Sequence, residues 1–222
     1  MSRYRYEELS PSQFEELVVD ICRSFIGSGV RGFATGPDGG RDARFDGTAN
    51  DFPSAREPWR GTTIIQAKHT AKTDAAYSDT DFMGSGKVLD IELERIKKLV
   101  DEGGLDHYLL FANRKLTGIA DDKILRRISD ECKLSVTDVH IVGVEEMDDI
   151  LSRYEDIAPR HYLDLLAAPL RITRDGLAEV VEAMSSAIGA SETNLGDEPR
   201  FTHIVEAEKR VERRGRRGDS AA

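Results

Sequence analysis

The chain has 222 residues, of which 39% are hydrophobic and 32% charged, and its formal net charge is −10 at pH 7. These values are ordinary for one soluble globular domain, with or without a small appendage. No apolar run approaches the roughly 20 residues that span a bilayer, and the N-terminus lacks the apolar segment of a signal peptide. We therefore expect a cytoplasmic protein without a membrane partner. The acidic balance argues against a nonspecific nucleic-acid coat, which would be basic, but a nucleic-acid enzyme needs only a local basic rim.

The first predicted helix begins at Ser10, which can cap it, with Pro11 at the first helical position and Gln13 completing a capping box. Apolar residues then recur at helical spacing until glycines end the pattern near residue 27. Glu15 and Glu16 lie off the main apolar stripe, where a solvated face is the ordinary interpretation.

The next segments alternate between short strands and turns. We predict strands at residues 30–35, 42–45 and 62–67, with a glycine-rich turn, GPDGG, before Asp42. Residues 48–61 and 70–86 are polar and are expected to be surface loops.

The rest of the chain alternates between helical and strand patterns. Helices are predicted at residues 89–102, 119–133, 145–154, 159–166 and 175–188, and strands at residues 107–111 and 139–142. This order predicts an α/β fold with a mixed β-sheet between helices and extra C-terminal helices. Residues 191–222 are a charged tail that we expect to be disordered or to link the chain to a partner.

Cysteine usage gives no sign of a zinc site. The chain has two cysteines, Cys22 and Cys132, and neither belongs to a CxxC pair. Cys22 lies on the apolar face of the first helix, so we expect it to be a small core residue.

Phosphodiester hydrolysis is the chemistry that the central residues fit best. Asp42 and Glu15 could supply the hard oxygen ligands that Mg²⁺ prefers, with the Ala67 carbonyl as a third. Lys68 could orient the attacking water and stabilise negative charge on the phosphate. Gln66 points to the same face of its strand as Lys68, although its neutral amide is a weaker ligand than a carboxylate. Mn²⁺ is expected to substitute for Mg²⁺.

Three separated segments carry a family resemblance. FEELV on the first helix, then GPDGGRDARF, then IIQAKHT resemble the Mrr-type branch of the PD-(D/E)xK nucleases, whose members are restriction endonucleases. The resemblance covers roughly residues 4–170, with residues 50–60 and 72–86 as insertions. It implies a restriction endonuclease-like core in residues 1–170, followed by a C-terminal helix at 171–190 and the tail at 191–222.

The resemblance also implies site residues and partners. It assigns Glu15 and Asp42 as metal ligands, with Glu16 as the alternative on the helix, and it places Gln66 and Lys68 at the QxK positions. The expected substrate is double-stranded DNA, cut by an effector of bacterial anti-phage defence. A partner NTPase or sensor protein and a homodimer or larger oligomer are further expectations.

Several alternatives stay open. Arg41, Arg44 and His69 are candidate contacts to the DNA backbone, but the two arginines could equally be solvated charges. Strand alternation points His69 away from Lys68, which favours a structural role. The chain could instead be a nuclease-fold interaction module that acts only with a partner protein, or a nuclease directed at RNA.

Overall fold

A computed structural model describes residues 3–33 and 42–163, and all of them belong to the unit Met1–Pro169. The strands are β1 (Arg31–Gly32), β2 (Ala43–Thr48), β3 (Arg60–Lys68), β4 (His107–Ala112) and β5 (Val139–Val142). The helices are α1 (Pro11–Phe25), α2 (Thr80–Met83), α3 (Val88–Asp101), α4 (Gly118–Cys132), α5 (Val144–Arg153) and α6 (Ile157–Arg160). Short 3-10 turns lie at Tyr6–Glu8 and Val136–Asp138.

The five strands form one mixed sheet in the order β1-β2-β3-β4-β5. The first three pair antiparallel, whereas β3, β4 and β5 run parallel. The interior strand β4, between β3 and β5, is buried along its whole length, as a continuous apolar run predicts for a strand covered on both faces. The mixed α/β architecture with a sheet flanked by helices is therefore confirmed.

Alternation along β3 divides the core into two layers. Ile65 and Ala67 pack in the cluster that includes residues of α1, α5 and α6. Ile64 packs on the other face, in the cluster that includes residues of α3 and α4. Because successive side chains point to opposite faces of a strand, Gln66 and Lys68 belong to the α3 side. Ala67, between them, lies in the core cluster on the α1 side.

The start of α1 follows the sequence pattern closely. The Ser10 backbone N–H donates to Gln13 Oε1 at 2.8 Å, and the Gln13 N–H donates to Ser10 Oγ at 3.2 Å. This reciprocal pair is the predicted capping box. It fixes the first turn of the helix that carries Glu15 and Glu16.

Both predicted surface loops contain buried residues. Trp59 is buried because its ring stacks on His107 at a centroid distance of 4.5 Å. In the second segment Tyr77 and Phe82 are fully buried, and Phe82 lies on α2. The assignment of residues 70–86 to a loop was wrong for Thr80–Met83, which form α2. The sequence did not indicate this burial because it depends on contacts with residues distant in sequence.

Other boundaries differ at the ends of the described segments. The strand predicted at residues 30–35 is observed only at Arg31–Gly32, and residues 34 and 35 lie outside the described ranges. The helix predicted at 159–166 is observed as Ile157–Arg160. The helix predicted at 175–188 and the charged tail lie outside the described residues. Within the described ranges, no helix combines the length and apolarity needed to span a bilayer.

Candidate active site

Asp42 is bound directly to the end of β3. Its Oδ2 accepts the backbone N–H of Ala67 at 2.6 Å and a short hydrogen bond from the Gln66 side-chain amide. The Asp42 backbone N–H in turn donates to Ile65 O at 3.3 Å. These bonds form because Asp42 precedes β2, which pairs with β3 so that Ala43 lies opposite Ile65. The aspartate and the QxK segment, separated by more than 20 residues in the chain, thus meet at one edge of the sheet.

The environment of Asp42 makes its negative charge unfavourable. Burial raises the pKa of this carboxyl group from its usual 3.8 to about 6. The Ala67 N–H and the charge of Lys68 lower the pKa, whereas the charges of Glu15 and Glu92 raise it further. A partly buried carboxylate near two others and a lysine is therefore in place, and a cation bound beside it would relieve the repulsion.

Lys68 is held by a buried glutamate that the sequence analysis did not single out. Its Nζ lies 2.9 Å from Glu92 Oε1, and the Glu92 side chain is only 2% exposed. Glu92 also accepts hydrogen bonds from Arg95 at 2.6 Å and from the Tyr108 hydroxyl at 3.1 Å. Burial, followed by the charge of Glu92, raises the pKa of Tyr108, so this hydroxyl stays a donor. Glu92 therefore fixes the position of the lysine ammonium group from the α3 side.

A sequence signal for Glu92 was present in α3. Glu92 lies on the apolar stripe of the helix, three residues after Leu89 and four residues before Ile96. A glutamate in the middle of an apolar stripe is rarely left unpaired, because burying a lone charge is costly. The pattern marks a buried carboxylate but does not name its partner.

Glu15 and Glu16 both line a cleft of about 450 Å³ that also includes Asp42. Glu15 is half-buried and is one of the charges that act on Asp42. Glu16 is exposed. Arg23, on the same helix, and His161 also line the cleft, and the histidine was given no chemistry in the sequence analysis.

Of the three candidate DNA contacts, Arg41, Arg44 and His69, the two that the structure describes do not share one location. Arg41 lies outside the described residues. Arg44 pairs with Asp46 at 2.7 Å and is partly exposed. His69 Nε2 lies 3.0 Å from Tyr6 O, and its ring lies 5.6 Å from that of Phe14, so the structure brings this residue into contact with the α1 side of the core.

The residues present suit a hard cation only in part. Among residues 3–33 and 42–163, no three His, Cys, Asp or Glu side chains converge in a group that could hold a metal ion. Mg²⁺, however, usually keeps several waters and takes one or two carboxylates. Glu15 and Asp42 line one cleft and interact electrostatically, which fits that smaller requirement.

Comparisons of the chain with protein-family models, with curated proteins and with solved structures found no match.

Proposed function

We propose that the protein is a metal-dependent endonuclease that hydrolyses DNA phosphodiester bonds at the edge of the sheet where Asp42 meets β3. The observation that supports this proposal most strongly is the convergence of Asp42, Gln66 and Lys68 through direct hydrogen bonds and charge. Defence against phage, and the restriction endonuclease-like form of the core, belong to the same proposal and rest on the resemblance of the three motifs.

In this proposal each residue has a defined task. Asp42 and Glu15 would hold Mg²⁺, and the bound ion supplies Lewis acidity and a water of lowered pKa. Gln66 holds the Asp42 carboxylate in place through its amide. Lys68 carries the positive charge that stabilises the developing negative charge on the phosphate, and Glu92 positions its ammonium group.

The raised pKa of Asp42 supports a role that is not structural. A carboxylate kept only for stability is usually placed where its charge is favourable, as Asp46 is beside Arg44. Asp42 instead lies where burial and two other carboxylates oppose its ionisation. Such conflicts concentrate at functional sites, where a ligand later compensates the charge.

The experiment is cleavage of supercoiled plasmid by the purified full chain in Mg²⁺, in Mn²⁺ and in EDTA. Wild-type protein should nick or linearise the plasmid with either metal and not in EDTA. Asp42→Asn should lose this activity, whereas Asp46→Asn, on the same strand pair but bound to Arg44, should keep it. Equal cleavage by Asp42→Asn would remove this site from the proposal. The same assay with an RNA duplex tests the RNA-directed alternative.

A further inference from the structure

One aspartate, Asp20, organises a group of side chains in the cleft that Asp42 also lines. Asp20, on α1, accepts a hydrogen bond from Arg23 at 3.0 Å through Oδ1. Its other oxygen, Oδ2, lies 3.1 Å from His161 Nε2 and 3.2 Å from Arg160. The side chains of Asp20 and His161 are 19% and 12% exposed. Three cationic or proton-donating groups are thus fixed by a single, mostly buried carboxylate.

Asp20 is held in its charged form. Burial alone would raise its pKa, but the hydrogen bonds from His161 and Arg23 and the charge of Arg160 outweigh burial, so the pKa is lowered. Asp20 therefore acts as a permanent acceptor that orients its neighbours. Arg160 has a second carboxylate partner, Asp156, at 3.1 Å.

Arg23 keeps donors available at the cleft that it lines together with His161. Arg23 uses Nε for the carbonyl of Val30 and Nη1 for Asp20, and a guanidinium has five N–H groups. His161 uses Nε2 for Asp20. Within the part of the chain that the structure describes, no hydrogen bond is made by its Nδ1. Arg23 therefore supplies guanidinium N–H groups at the cleft, and His161 supplies a second ring nitrogen that donates only in an imidazolium.

We infer that Arg23 and His161 form a phosphate-binding subsite for the DNA backbone, positioned by Asp20, in the cleft that Asp42 also lines. The identity of this ligand rests on the proposed nuclease function. A guanidinium matches the geometry of phosphate oxygens and stays charged at every relevant pH. A chain of net charge −10 needs local positive charge such as that of Arg23 to bring a polyanion against the carboxylates of this cleft.

The inference is tested by the salt dependence of duplex DNA binding in Ca²⁺, measured by fluorescence anisotropy with the full chain. Each neutralised phosphate contributes about −0.9 to the slope of log K against log salt concentration. Arg23→Gln should weaken binding by about 10-fold and reduce the steepness of the slope by about 0.9. His161→Gln should weaken binding, and Arg23→Lys should keep the slope because it keeps the charge.

Arg153→Gln is the matched control, because this arginine on α5 is 61% exposed and pairs with Asp149 at 3.2 Å. It should leave both affinity and slope unchanged. Unchanged binding by Arg23→Gln and His161→Gln, or a loss in Arg23→Lys as large as in Arg23→Gln, would overturn the subsite. Absence of salt-dependent DNA binding by the wild-type chain would also overturn the subsite.

Plasmid cleavage in Mg²⁺ separates this inference from the proposed function. If the wild-type chain cleaves DNA and the Arg23 and His161 variants bind normally, the nuclease proposal stands and the subsite is wrong. If binding depends on these residues but no metal supports cleavage, the subsite stands and the nuclease proposal is wrong.

Discussion

Replacing Asp42 with asparagine should stabilise the metal-free protein at neutral and higher pH while abolishing the proposed activity. The asparagine oxygen can still accept the N–H groups of Ala67 and Gln66 that bind Asp42. What disappears is the negative charge, which burial opposes and which Glu15 and Glu92 repel. The substitution therefore removes an unfavourable charge and keeps the local hydrogen bonds.

The pH dependence has a definite sign. The pKa of Asp42 is about 6 in the folded state and 3.8 in its usual state. Between these values the folded chain holds a proton that the unfolded chain has released, so the free energy of unfolding falls as pH rises. The rise in pKa corresponds to about 3 kcal/mol. Because the carboxyl group keeps some solvent contact, we expect about 1 to 3 kcal/mol in practice.

The assay is urea denaturation in EDTA at several pH values between about 4 and about 8, with the slope of each transition checked for constancy. Relative to wild type, Asp42→Asn should gain stability as pH rises through the pKa of about 6. Asp46→Asn is the control of opposite sign, because the hydrogen bond from Arg44 lowers the pKa of Asp46. The contribution of Asp46 to the free energy of unfolding is present above the usual pKa of an aspartate. It is lost as pH falls through the lowered pKa of Asp46 in the folded state.

A stability difference between wild type and Asp42→Asn that stays constant with pH would refute the electrostatic reasoning. Loss of stability in the variant as pH rises would refute it more strongly, since Asp42 would then be stabilised by its charge. Adding Mg²⁺ at pH 8 extends the test, because a cation bound at Asp42 should raise the melting temperature of wild type more than that of the variant.

Other predictions follow from single contacts. Glu92→Gln should lower the free energy of unfolding by about 2 kcal/mol in urea denaturation, because Lys68 and Arg95 then face a neutral amide oxygen in place of a buried carboxylate. Glu15→Gln should lower the pKa of Asp42, measured from the NMR shift of its carboxyl carbon as a function of pH. Glu16→Gln should leave that pKa unchanged. An equal response to both substitutions would contradict the preference for Glu15. Ser10→Ala should cost about 1 kcal/mol in thermal or urea unfolding by removing the cap of α1, and an unchanged stability would show that the cap is dispensable.

The elements that the sequence predicts well carry their information locally. The capping box at Ser10 and the continuous apolar run of β4 each depend on residues within a few positions of one another. Alternation on β3 correctly places Ala67 in a core layer, and β2 pairs antiparallel with β3. These signals indicate the mixed sheet, whereas the grouping of Asp42 with the QxK segment was expected from the resemblance of the motifs.

The features that were missed depend on contacts between distant segments. Glu92 meets Lys68 only because α3 packs on the face of β3 to which Lys68 points. Tyr77 is buried because its hydroxyl donates to Val142 O at 2.8 Å, 65 residues away. His161 reaches the cleft because α6 follows α5 back to α1, where Asp20 binds it. No local pattern in the sequence specifies such partners.

The central claim is that Lys68 serves phosphodiester cleavage, and its most direct test is the initial rate of plasmid nicking in Mg²⁺ by Lys68→Ala beside Lys98→Ala. Lys98 is 74% exposed, and its Nζ lies 3.9 Å from Glu102 Oε1 in a long surface ion pair. Its removal should therefore leave the rate near that of wild type. Lys68→Ala should be slower by at least about 100-fold, and its fold should persist because Glu92 keeps Arg95 and Tyr108. Nicking by Lys68→Ala at the wild-type rate would contradict the account, and no nicking by wild type in Mg²⁺ or Mn²⁺ would favour the interaction module.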